Sequence, residues 1–191
     1  TTAATASEDG TIRLWDLQTR EQIGPAWGDR RKDAITVSFS PDGKLLMVGN
    51  GLGEVTGYAA DDRRIVIPTF SAHRSDVWEI EFSPDGGRFA TASSDQRIRM
   101  WKASAHPKPL GEPFERSGWD VRGVLMNDTE VLAGNEEGRL LVAPIDGSAR
   151  PTSFAPRTAQ IVDAAWGGGT LATLGVDQQM QIWTRGDEQT A

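Results

Sequence analysis

The sequence predicts an all-β protein assembled from repeated four-stranded units, and three observations predict it. A phrase returns every 43 residues or so. The segments flanking its turns alternate apolar and polar residues, the period-two pattern of a strand. Gly and Pro interrupt the chain about every ten residues, and long helical periodicity is absent. Such a repeat decides the architecture before any single residue does.

The elements follow in order. The chain opens on TTAATASEDGTIRLWDL, two strand candidates around a turn at Asp9 and Gly10, and nearly the same phrase returns as RFATASSDQRIRMWKAS at residues 88–104. SFSPDG at residues 38–43 returns as EFSPDG at residues 81–86, an offset of 43. Each copy stands between two strands, AITVSF and LLMVGN in the first, VWEIEF and RFATAS in the second. Pro41 and Pro84 preset φ for the first central turn position, and the Asp and Gly that follow accept the tight geometry.

A second hairpin follows in each unit, turning near Gly10, Gly53, Asp95, Gly138 and Asp177. The strands it delivers are TIRLWDL, EVTGYAA, RIRMWKA, RLLVAPI and MQIWTRG. With Trp15, Tyr58, Trp101, Ala143 and Trp183 taken as equivalent, the spacings are 43, 43, 42 and 40.

The order of strand, FSPDG turn, strand and SxDxxIRxW resembles the WD-repeat family of β-propellers along essentially the whole chain. The match is sharpest in the opening phrase and around residues 70–102, and the units ending at Tyr58 and Ala143 depart from it. The resemblance implies a partial β-propeller of about four and a half four-stranded blades, part of a ring of seven. Residues 1–28 are expected to form a partial blade, a strand pair followed by a connection. Residues 29–71, 72–114, 115–155 and 156–191 are expected as successive repeats. A seven-bladed ring needs roughly 300 residues, so the chain is expected to be the C-terminal piece of a longer protein. The excess of sixteen Arg over four Lys suggests a bacterial member.

In the family, as the resemblance implies, a His before the first strand, a Ser or Thr in the second, an Asp in the next turn and a Trp in the third form one hydrogen-bonded network. The chemistry is sound, because a buried indole N–H needs an acceptor and a buried carboxylate needs donors. The full set occurs once, as His73, Thr91 or Ser93, Asp95 and Trp101. Register leaves Thr91 and Ser93 both open. The opening phrase supplies Thr5 or Ser7, Asp9 and Trp15, and the last unit Asp177 and Trp183 with Arg157 where His would stand. Arg30 and Leu52 replace His and Asp in the unit ending at Tyr58.

Other constellations look chemical and carry less. His73, Ser75 and Asp76 are adjacent in one loop, whereas triads converge from separate elements and need an oxyanion hole. GNGLG at residues 49–53 lies between strands instead of opening a helix, so it reads as a widened hairpin turn, not a phosphate loop. With no cysteine there is no thiol nucleophile or thiolate metal site, and the chain offers no convergent acid, base or metal set. No enzyme activity and no cofactor are expected.

A net charge of −7 argues against sequence-independent nucleic-acid binding. No apolar run approaches the roughly 20 residues of a membrane span. The expected role is a cytoplasmic, non-catalytic scaffold for a protein or peptide partner and for the remainder of its own propeller, without nucleic-acid, membrane or small-molecule partners. The alternative is a sensory module of a larger bacterial kinase, NTPase or protease. Candidate contacts are Arg30, Arg74, Trp78, Trp119, Asp120 and Arg157, which belong to the connections into the innermost strands. For Trp78 and Trp119 the sequence leaves open an exposed interface anchor or burial against a neighbouring blade.

Overall fold

The structure, a computed structural model, describes residues 2–115, 121–135, 138–146, 152–154, 161–167 and 170–184. Among these the chain forms strands and turns only, arranged as five antiparallel sheets in chain order. Sheet I holds β1 (Thr2–Ala6), β2 (Ile12–Asp16) and β3 (Glu21–Gln22). Sheet II holds β4 (Ala34–Phe39), β5 (Leu45–Asn50), β6 (Glu54–Ala59) and β7 (Ile65–Ser71). Sheet III holds β8 (Val77–Phe82), β9 (Arg88–Ser93) and β10 (Arg97–Lys102), with two short pieces, β11 (Lys108–Pro109) and β12 (Phe114–Glu115), both paired to β10. Sheet IV holds β13 (Val121–Met126), β14 (Glu130–Asn135), β15 (Leu140–Pro144) and β16 (Thr152–Phe154). Sheet V holds β17 (Ile161–Gly167), β18 (Thr170–Gly175) and β19 (Met180–Thr184).

Turn chemistry sets the period. The second hairpin of every sheet passes through one left-handed residue: Gly10 (φ 77°), Gly53 (φ 76°), Gln96 (φ 66°), Gly138 (φ 77°) and Gln178 (φ 62°). These positions repeat at 43, 43, 42 and 40 residues, the spacing of the aromatic strand position. At Gly53 a Cβ would stand 2.4 Å from the His73 carbonyl oxygen, so that site excludes any side chain. The SPDG turns are duplicates. Ser40 Oγ donates to Asp42 Oδ1 at 2.6 Å, as Ser83 Oγ does to Asp85 Oδ1 at 2.6 Å. The same hydroxyls accept the N–H of Leu45 and of Arg88, each at 3.0 Å.

Packing follows from strand alternation. On β5, Leu46 and Val48 face Ile12 and Leu14 of sheet I, while Met47 faces Val77 and Phe89 of sheet III. On β9, Phe89 faces back to sheet II, while Ala90 and Ala92 face Val124 and Val131 of sheet IV. On β14, Val131 and Ala133 face sheet III and Leu132 faces Leu171 of sheet V. The second strands β5, β9 and β14 are thus buried on both faces, which is why they carry apolar or small residues at consecutive positions. First strands β4, β8, β13 and β17 neighbour one another in turn. This arrangement of face-packed sheets, first strands innermost, is a partial β-propeller.

Three expectations change. The opening strand pair is a three-stranded sheet, because Glu21 and Gln22 pair back onto Asp16 and Trp15. The turn at residues 51–53 is not widened: it joins β5 to β6 through three residues, as residues 94–96 join β9 to β10. The expected boundary between residues 114 and 115 falls inside β12, which pairs with β10 of sheet III. The fourth strand expected of the last unit falls within residues 185–191, which lie outside the described residues.

Candidate functional site

The densest polar cluster lies where the connection into β8 meets the turn between β9 and β10. Trp101 Nε1 donates to Thr91 Oγ1 at 3.0 Å, and Thr91 Oγ1 lies 2.7 Å from His73 Nε2. His73 Nδ1 lies 3.0 Å from Asp95 Oδ1. Arg99 Nη1 donates to Asp95 Oδ2 at 2.9 Å, and Arg74 N–H donates to the same oxygen at 3.1 Å. An indole only donates and a carboxylate only accepts. A neutral imidazole protonated on Nδ1 carries the chain from indole to hydroxyl, hydroxyl to Nε2 and Nδ1–H to Asp95, with Arg99 Nη1 also 2.6 Å from Nδ1. Register makes Thr91 the network member, opposite Arg99 on β10, with Trp101 one pleat further along. Ser93 instead donates to the Ser75 carbonyl at 3.2 Å and accepts the Asp95 N–H at 3.0 Å.

Burial pushes the His73 imidazole below its ordinary value; Asp95 opposes this and the Arg99 charge adds to it. Burial would raise the Asp95 carboxyl, but hydrogen bonds from His73, Arg99 and the Arg74 N–H outweigh it and hold the group well below the carboxylate range. The pair is therefore a neutral His73 beside an ionised Asp95, with Arg99 as counter-ion.

By distance alone Thr91, His73 and Asp95 form a triad. Thr91 is 0% exposed, however, and its oxygen already accepts the Trp101 indole proton. A substrate carbonyl has no path to that oxygen, so the geometry holds β8, β9 and β10 together and does not activate a nucleophile. Among the described residues no three ligating side chains converge on a metal position.

The other sheets solve the same problem differently. In sheet I, Trp15 Nε1 donates to Thr5 Oγ1 at 3.0 Å, which makes Thr5 the partner rather than Ser7. Asp9 turns into its own hairpin, accepting the Thr11 hydroxyl at 2.6 Å and the Thr11 N–H at 2.9 Å. In sheet II, Lys32 Nζ donates to Glu54 Oε2 at 2.7 Å and Asn50 Nδ2 donates to it at 2.9 Å, a substitute that also joins the incoming connection to the β5–β6 turn. Arg63 then clasps sheet I to sheet II, donating to the Pro25 and Ile23 carbonyls with its guanidinium 4.7 Å above the Trp27 ring. Glu79 Oε2 accepts the Val124 N–H at 2.7 Å and ties sheet III to sheet IV. Sequence reasoning missed Lys32, Glu54, Arg63 and Glu79, which do not recur from unit to unit, and it gave no role to Arg99 and Asn50 although Arg13 and Asn135 stand at equivalent positions. Asp177 accepts the Gln179 N–H at 3.1 Å, and the Trp183 side chain lies outside the described residues.

Of the candidate contact residues, Arg30, Arg74 and Trp78 lie at the same end of the sheets. Arg30 and Arg74 are exposed. Trp78 is half-buried, its Nε1 donating to Ser94 Oγ at 2.6 Å. Trp119, Asp120 and Arg157 lie outside the described residues. Every first strand carries a bulge there, between Ala34 and Thr36, Val77 and Glu79, Val121 and Gly123, and Ile161 and Asp163. A bulge adds one residue to its strand and re-aims that side chain; Ile35 and Trp78 hold the position in sheets II and III.

A family model described as WD domain, G-beta repeat matches residues 1–16 and 64–102. The target of rapamycin complex subunit LST8 of Mus musculus is 30% identical over 106 residues, covering 51% of this chain and 32% of that protein. The guanine nucleotide-binding protein subunit beta of Solanum tuberosum is 34% identical over 103 residues, covering 51% of this chain and 27% of that one. The computationally designed Ika8 protein superposes with a TM-score of 0.79 at 17% identity, over 96% of this chain and 55% of the design, a likeness of fold alone. The chain spans about a third or less of the length of the curated relatives it matches. Over residues 1–16 and 64–102 the chain is thus similar to WD repeats, and its fold is that of a partial β-propeller.

Proposed function

We propose that this chain is a non-catalytic scaffold that holds a protein or peptide partner at the end of the sheets where the connections meet the first strands. The bulge repeated in four sheets carries the reading. In sheets II and III it re-aims Ile35 and Trp78, beside the exposed Arg30 and Arg74. The relatives, a G-protein β subunit and a subunit of a named complex, are themselves described as parts of assemblies. The test is partner capture by the wild-type chain against a variant carrying Arg74→Glu and Trp78→Ala. Loss of partners at unchanged melting supports the site, and full retention removes these residues from it.

The scaffold is proposed to work within a larger ring, as one part of about seven blades. Leu174, Met180 and Ile182 are 40%, 67% and 63% exposed, while their counterparts Ala92, Ile98 and Met100 in sheet III are buried against sheet IV. A further sheet of the same kind would cover that face. Association through it, abolished by Ile182→Glu, is expected in sedimentation; a monodisperse 20.7 kDa species would count against it.

A further inference from the structure

A second surface lies at the opposite end of sheets II and III, where the SPDG turns stand side by side. Between them opens a cleft of about 740 Å³. Leu45, Ile67 and Phe82 form its apolar floor, with Ile67 and Phe82 themselves core residues at 4% and 5% exposure. Ala103 and Ala105 form the far wall. The two turns approach closely at one end, since a Cβ on Gly86 would come within 3.4 Å of Pro41 Cδ.

The mouth is acidic. Asp42 and Asp85 line it, and Lys44 is the single cation among the lining residues. The Ser40 hydroxyl holds the Asp42 carboxyl below its ordinary value, and the Ser83 hydroxyl does the same for Asp85, so both are ionised at neutral pH. Their turn hydrogen bonds use Oδ1, from the Lys44 N–H and the Gly87 N–H as well as the serines. Lys44 stands 3.8 Å from Asp42 Oδ2 with 84% of its side chain exposed, too loose a pair to neutralise the mouth. Asp85 Oδ2 is left outside the turn's bonds.

We infer that this cleft docks an extended segment of a protein partner, one in which an aliphatic or aromatic side chain is flanked by Lys or Arg. The apolar side chain covers Leu45, Ile67 and Phe82, and the basic neighbours meet Asp42 and Asp85. The volume lies within the ordinary range of binding clefts, and the net charge of −7 steers a basic segment toward the chain. The inference rests on the scaffold reading but uses the end of the sheets away from Arg30, Arg74 and Trp78.

Fluorescence anisotropy of the full chain with three fluorescein-labelled hexapeptides tests it. One alternates Arg with Leu and Phe, the second has Glu for each Arg, and the third has Ser for Leu and Phe. The first is expected to bind about tenfold tighter than either of the others. Lys44→Glu should tighten it several-fold, and Ala105→Arg should weaken it about tenfold, both at unchanged melting. Arg74→Glu with Trp78→Ala should leave it unchanged, which separates this surface from the one under Proposed function. Equal binding of the three peptides, preference for the acidic one, or indifference to Ala105→Arg would overturn the inference.

Discussion

Sheets II and III share one backbone and differ in what secures it. Both carry an SPDG turn, a bulged first strand and a three-residue second turn, each displaced by 43 residues. Sheet III adds the buried chain of Trp101, Thr91, His73 and Asp95. Sheet II has Tyr58, Val48, Arg30 and Leu52 at those positions, ties its turn through Lys32, Glu54 and Asn50, and keeps a cavity of about 170 Å³ beside Val48 and Tyr58. The backbone therefore comes from turns and alternation, and the network is an added fastening.

The largest effect should come from breaking that fastening at its charge. Asp95→Ala strands Arg99 and the imidazole in a largely buried site, with an expected cost of about 3–5 kcal/mol in chemical denaturation. Leu52→Ala at the equivalent point of sheet II, 60% exposed, should change stability by less than about 0.5 kcal/mol. A similar loss at both positions would end the comparison.

Removing an uncharged link should cost less. Thr91→Val leaves the Trp101 indole N–H and His73 Nε2 without a partner, about 1–3 kcal/mol, read as a fall of roughly 2–4 °C in melting temperature per kcal/mol. Val48→Thr in sheet II has no such network to join and should not stabilise by itself.

Acid should separate the sheets as well. His73 is depressed in the fold, so the unfolded chain takes up the proton first. Stability present above about pH 6.5 is then lost as pH falls toward the folded value. Asp95 is depressed too, and its contribution goes below about pH 3.8, its ordinary value. His73→Gln should flatten the melting profile between pH 6.5 and 5; an unchanged profile would show that His73 does not titrate with unfolding. The smallest effect is at the turn: Gln96→Gly removes a left-handed side chain and should stabilise by no more than about 1 kcal/mol.

Much of the fold was legible because it is written in local rules. Pro41, Pro84 and the Asp-Gly pairs mark turns by their own backbone preferences, and AITVSF or VWEIEF alternates because one residue in two meets a neighbouring sheet. The sheet III network was legible through its residue types, but Thr91 and Ser93 differ only in which face they occupy, and register decides that. The substitutes in sheet II were not legible. Lys32 and Glu54 meet across 22 residues, and Arg63 reaches Pro25 across 38, contacts that long flexible side chains make without a sequence spacing to announce them. The SPDG cleft was also hidden, since it exists only once two sheets stand side by side.

We propose that His73 fastens sheet III and takes no part in partner binding. Melting temperature and partner capture measured together on His73→Ala test it most directly. The melting temperature should fall with capture retained below the transition; unchanged melting with capture lost would place His73 in the partner site instead.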